Sequence, residues 1–193
     1  MMHGTRIIVA DTDEPSRRAL HEQVQRNGYL VLASVADGRL AARLIFEREP
    51  EVAVLNVNLP GRSGLEVARV VTQQLVSAVV LIGEQFDWEL LGKAREAGAQ
   101  AFLLKPLSEQ TLIPALEMAI GEFRRYKEMA QENRRLRDEL ETRRLVERAK
   151  GLLMCQYGWT EEEAYRYLRE QSMNRCLPLR RIARAVLEGR LAP

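Results

Sequence analysis

The chain has 193 residues, of which 46% are hydrophobic and 29% charged, with a formal net charge of +2. This balance excludes a disordered chain and fits one ordinary domain plus a small one, and no apolar run is long enough to span a bilayer. The first residues lack a signal-peptide pattern, so a cytoplasmic location is expected; there Cys155 and Cys176, each alone in sequence, are expected as free, semi-buried thiols without metal-ligand spacing.

In chain order, residues up to about 105 alternate strand and helix signals. The apolar run Ile7–Ala10 predicts a first strand, and a helix pattern follows from Glu14 to Asn27-Gly28. Tyr29–Val35 is the second strand, with a helix over 39–48 that stops before Pro50. Val52–Val57 is the third strand, followed by the loop Pro60-Gly61-Arg62-Ser63-Gly64 and a helix from about Leu65. Ala78–Ile82 is the fourth strand, and a helix over 88–97 is expected to be capped by Gly98. Ala101–Leu104 is the fifth strand. Continuously apolar strands mark a parallel sheet covered on both faces. The fold class is therefore α/β, a five-stranded, doubly wound, flavodoxin-like sheet of order 2-1-3-4-5.

After Pro106 the pattern becomes helical. Ser108 can cap a helix with no stop signal until Gly151 or later, and Pro114 allows a kink. Tyr126, Met129, Asn133, Leu136 and Leu140 alternate by three and four residues, the spacing of a short coiled-coil seam with Asn133 at a core position. The last fifty residues predict a three-helix bundle. Leu145, Ala149, Leu152 and Leu153 stripe the first helix, and Gly158 breaks it. Trp159 staples the capping box Thr160–Glu163, and Pro178 opens the third helix.

Charge divides unevenly along the chain. Residues 1–121 hold 12 Lys/Arg against 15 Asp/Glu, while residues 122–193 hold 17 against 12, mostly arginine. A solvated helical surface and a nucleic-acid contact both fit this basic end.

The strand ends bring Asp11, Thr12, Asp13, Asn56, Gly83 and Lys105 towards one place, where parallel α/β sheets build sites. The segments A-D-T-D-E, L-N-V-N-L-P-G-R-S-G, A-R-E-A-G-A-Q-A-F and L-L-K-P resemble the response-regulator receiver domain over about residues 5–120. A working receiver uses two adjacent acids for Mg²⁺, a phosphate-accepting aspartate, a Thr or Ser, and a lysine. The resemblance puts Thr12 at the second acid, Asn56 at the phosphoacceptor and Gly83 at the hydroxyl, so only Asp11 and Lys105 match. Asn58, two residues on, is also an amide and no substitute. Phosphorylation is not expected, nor are a cofactor or metal. Asn56 and Lys105 are expected to bond each other or nearby backbone, or Lys105 to pair with Asp11.

The segments L-V-E-R-A-K-G-L-L-M, G-W-T-E-E-E-A-Y-R-Y-L-R and S-M-N-R resemble the ANTAR domain, a three-helix RNA-binding module, over about residues 135–190. The resulting division is a receiver-like domain at 5–121, a coiled-coil linker at 122–144 and the ANTAR domain at 135–190. The family implies a homodimer that binds paired hairpins in nascent leader RNA and prevents a terminator from folding, with a sensor or sequestering protein as a family precedent for control. Candidate RNA contacts are Arg144, Arg148, Lys150, Tyr165, Arg169 and Arg175. Arg180, Arg181 and Arg184 read as solvated charge. Two other readings stay open, a DNA-binding regulator and a receiver-type adaptor that binds only proteins. An enzyme is not expected, because no nucleophile, base and metal set survives.

Overall fold

A computed structural model describes residues 4–193; the first three residues, part of the stretch read for a signal pattern, lie outside the described residues. The elements run β1 (Arg6–Ala10), α1 (Glu14–Arg26), β2 (Leu30–Val35), α2 (Gly38–Arg48), β3 (Val52–Asn56), α3 (Gly64–Gln73), β4 (Ala78–Gly83), α4 (Trp88–Glu96), β5 (Ala101–Leu104), α5 (Glu109–Tyr157), α6 (Glu161–Asn174) and α7 (Leu179–Leu187). The five strands are parallel, in the order β2-β1-β3-β4-β5.

Strand alternation divides the core in two. Ile8, Ala53, Leu55, Val79 and Leu81 face α2, α3 and α4, where Ile45, Val67, Val71 and Ala94 cover them. Ile7, Val9, Val54, Val80 and Ile82 face α1 and α5, meeting Leu20, Val24, Leu112 and Leu116. Every residue of β3 and β4 is buried. The expectation of strands covered throughout holds for the inner three only. β2 and β5 are the sheet edges, and Leu30 and Leu104 are exposed there.

Local chemistry sets the helix ends. Asp13, Asp37 and Asp87 cap α1, α2 and α4, and capping boxes start α3 at Ser63–Glu66 and α6 at Thr160–Glu163. Ser108 Oγ accepts from the Thr111 N–H at the head of α5. Pro114 lies inside that helix, near its start.

The chain forms two compact units, one through Glu128 and the other from Met129. The core of the second is Val146, Ala149, Leu153, Ala164, Leu168, Ile182, Ala183 and Val186. The first helix of the expected C-terminal bundle is no separate element. It is the end of the 49-residue α5, which passes through Gly151 and stops at Gly158, whose φ is +69°. Leu145 and Leu152 only flank the core, and Val146 takes the inward place. Both cysteines are free and exposed rather than semi-buried.

Candidate functional site

The strand-end pocket is built on Asp11, whose side chain is fully buried. Asn56 closes β3 and donates from Nδ2 to Asp11 Oδ1 at 2.8 Å. Its own Oδ1 accepts the Asn58 N–H at 2.9 Å. Lys105, just past β5, places Nζ 2.7 Å from Asp11 Oδ2. The Ser16 hydroxyl donates to the same Oδ2 at 3.0 Å, and the Asp13 N–H reaches Oδ1 at 3.2 Å. Asn56 and Lys105 therefore meet through Asp11, and no direct bond joins them. Asn58 lies beyond the end of β3 and is exposed, so it does not share the strand face of Asn56.

Burial pushes the Asp11 carboxyl up, but the Lys105 ammonium, the Asn56 amide, the Asp13 N–H and the Ser16 hydroxyl outweigh it and hold the group below its usual value. All of Asp11's acceptor capacity faces donors of the protein itself. Thr12 is exposed, and its hydroxyl reaches only the Asn58 carbonyl at 3.5 Å. Asp13 points away: its Oδ2 caps α1 by accepting the Ser16 N–H at 2.9 Å. This donor set does not fit Mg²⁺, which needs several free oxygens. Among the described residues no cluster of three or more His, Cys, Asp or Glu is placed to hold a metal.

Two glycines fix the pocket's backbone. A Cβ on Gly64 would lie 2.2 Å from the Asn56 carbonyl oxygen, so α3 starts directly against the end of β3. A Cβ on Gly83 would lie 2.8 Å from Phe102 Cζ. The Phe102 ring from β5 thus fills the space that a hydroxyl-bearing side chain would need. The sequence singled out Gly83 but missed Phe102, whose signal was only its place in an apolar strand.

In the second unit the candidate cations are not alike. Arg144 and Arg148 are exposed one turn apart on α5, and Arg169 is exposed on α6; none of the three has an ion-pair partner among the described residues. Arg175 caps the end of α6, with Nε donating to Gln171 Oε1 at 3.1 Å. Lys150 is held otherwise. Its stem is buried, and its Nζ lies 2.8 Å from Glu147 and 2.6 Å from Glu161. Those carboxylates hold its pKa above the usual lysine value. The ammonium also lies 5.9 Å from the centroid of the exposed Tyr165 ring. Lys150 and Tyr165 line a groove of about 890 Å³ between α5 and α6, with Glu147, Glu161 and Glu162 along it. Arg180 and Arg184 are not simply solvated, since they pair with Asp138 at 3.7 Å and Glu141 at 3.1 Å, tying α7 to α5.

The seam residues Tyr126, Met129, Asn133, Leu136 and Leu140 are all exposed.

The sheet order, the strand-end pocket and the lysine after β5 define a receiver-type response regulator, and residues 7–117 match the response regulator receiver domain. Residues 134–187 match the ANTAR domain. The chain is 34% identical over 183 residues to the transcriptional regulatory protein PdtaR of Mycobacterium tuberculosis, covering 95% of this chain and 89% of that one. The signal receiver domain of the response regulator NarL from Mycobacterium tuberculosis superposes with a TM-score of 0.59 at 26% identity, over 62% of this chain and 98% of that one. A DNA-binding response regulator of the LuxR family from Staphylococcus aureus gives 0.58 at 25% identity, over 60% and 98%. The protein belongs to the response regulators that join a receiver domain to an ANTAR domain. No helix among the described residues is long and apolar enough to cross a membrane.

Proposed function

We propose that this protein is a transcription antitermination regulator that binds hairpins of nascent leader RNA as a homodimer, with a receiver that works without phosphorylation. The observation that carries the RNA reading is the pair Arg144 and Arg148. They are exposed, have no ion-pair partner among the described residues, and lie on one helix face inside the span that matches the ANTAR domain. Guanidinium groups so placed suit phosphates and base edges. Crosslinking the protein to nucleic acid in cells and sequencing both the bound RNA and the bound DNA tests it; recovery of leader transcripts with tandem hairpins is the expected result, and recovery of DNA alone refutes it.

Phosphorylation-independence rests on Asn56. An amide offers no carboxylate oxygen to a phosphoryl group, and this one is bonded at both ends. Acetyl phosphate with Mg²⁺ is expected to leave the protein's mass and NMR spectrum unchanged. Control then passes through a sensor or sequestering protein, RNA supply or dimerisation. The dimer reading rests on the heptad stripe from Tyr126 to Leu140, whose apolar side chains are about half exposed or more.

The DNA-binding reading is disfavoured by α7. Three of its nine residues are buried in the core, and Arg180 and Arg184 pair with Asp138 and Glu141 of α5.

A further inference from the structure

The turn between α5 and α6 carries an aromatic cluster that the RNA contacts named so far leave unused. Tyr157 ends α5, Gly158 turns the chain with φ at +69°, and Trp159 follows. The Tyr157 and Trp159 rings are tilted by 36° with centroids 5.5 Å apart, and Trp159 meets Tyr167 of α6 edge-on at 5.4 Å. Both separations are those of interacting aromatic pairs.

The three rings differ in how they are held. Trp159 and Tyr167 pack against the core of the second unit, whereas Tyr157 is outside that core and 44% exposed. A hydrophobic staple at the start of α6 uses the N′ and N4 positions, Trp159 and Ala164, and leaves Tyr157 out. Tyr157 is therefore an outward ring on a fixed aromatic backing. The Tyr167 hydroxyl is buried and has no hydrogen-bond partner among the described residues.

We propose that Tyr157, backed by Trp159, is a stacking platform for an unpaired base of bound RNA. The proposal rests on the RNA-binding reading and adds where a loop base would sit. Sequence-specific RNA recognition targets splayed loop bases, which stack on aromatic rings and guanidinium planes. A ring already ordered by a buried neighbour stacks at low entropic cost.

The test uses the full chain carrying Trp88→Phe, which leaves Trp159 as the sole tryptophan. The probe is a tandem-hairpin RNA selected in vitro for binding to the intact protein. Bound RNA is expected to quench Trp159 fluorescence. Tyr157→Ala is expected to weaken binding about ten-fold or more, with the salt dependence of affinity unchanged, because stacking carries no counterion release. Tyr157→Phe is expected to bind within about two-fold of the parent, since it keeps the ring face that stacks. Parent-like affinity in Tyr157→Ala overturns the platform, as does a loss in Tyr157→Phe equal to that in Tyr157→Ala, or binding without quenching. If those variants match the parent while Arg144→Ala with Arg148→Ala loses RNA, only the platform fails. If the parent captures no RNA from the selection, the RNA-binding reading fails and the platform with it.

Discussion

Asn56 donates a hydrogen bond to Asp11 at 2.8 Å, joining the ends of two neighbouring strands inside the sheet. The pairing is chemically one-sided. Asp11 is ionised and accepts only, so its neighbour must donate. An amide meets that need and a second carboxylate does not.

Asn56→Asp is therefore expected to destabilise the protein by about 1–3 kcal/mol in the absence of divalent ions, because a buried donor becomes a second acceptor beside a carboxylate. Urea unfolding with EDTA and with Mg²⁺ measures it, and Mg²⁺ should restore part of the loss. The variant should still gain no stoichiometric phosphate, as Thr12 and Gly83 supply neither the second acid nor the hydroxyl. An unchanged urea midpoint in EDTA would show that the Asn56–Asp11 bond contributes nothing.

The Asp11–Lys105 pair predicts a pH dependence. Asp11 has a folded pKa below its unfolded one, so its stabilisation is present above the unfolded value of about 3.9 and is lost as pH falls through the folded value. Lys105→Met leaves a buried carboxylate without its cation and should cost about 3 kcal/mol at neutral pH. Its Asp11 pKa should rise, so the acid-side loss of stability attributable to Asp11 should flatten or reverse. Urea midpoints between pH 3 and 7 for both proteins decide the matter.

Leu136→Ser with Leu140→Ser should convert dimers to monomers. Neither residue belongs to the second unit's core, so melting of that core should be preserved. Sedimentation of the parent and the variant at several concentrations is the measurement. A parent that is already monomeric at high concentration removes the coiled-coil proposal.

Arg144→Ala with Arg148→Ala should weaken RNA binding across sequences and reduce the slope of log affinity against log salt by about two. Both side chains are exposed and have no ion-pair partner among the described residues, so circular dichroism should be unchanged. An unaltered slope would move the phosphate contacts elsewhere.

What was legible in the sequence follows from the range of each interaction. The inner strands show as unbroken apolar runs because β3 and β4 are buried throughout, and the capping boxes at Ser63 and Thr160 are local three-residue patterns. Asn56 stood out because it ends β3, and Lys105 because it directly follows β5. What stayed hidden depends on residues that only folding brings together. The Phe102 ring fills the space beside Gly83 from a neighbouring strand. Lys150 looked like a free cation because Glu161, its second partner, lies across the turn on α6. The pairs Arg180–Asp138 and Arg184–Glu141 each span more than forty residues, and Tyr157 meets Trp159 only because Gly158 folds the chain back.

The unbroken α5 makes the spacing between its seam and its arginines a matter of phase. Each residue added to an α-helix turns everything beyond it by about 100°. Two residues inserted between Leu140 and Arg144 would carry the arginines to nearly the opposite side of the helix from where they now stand relative to the seam. Seven would return them to within about 20° of it. This stretch can therefore lengthen with little loss of its geometry by about two or three helical turns, seven or eleven residues, as a screw thread accepts some settings and rejects those between.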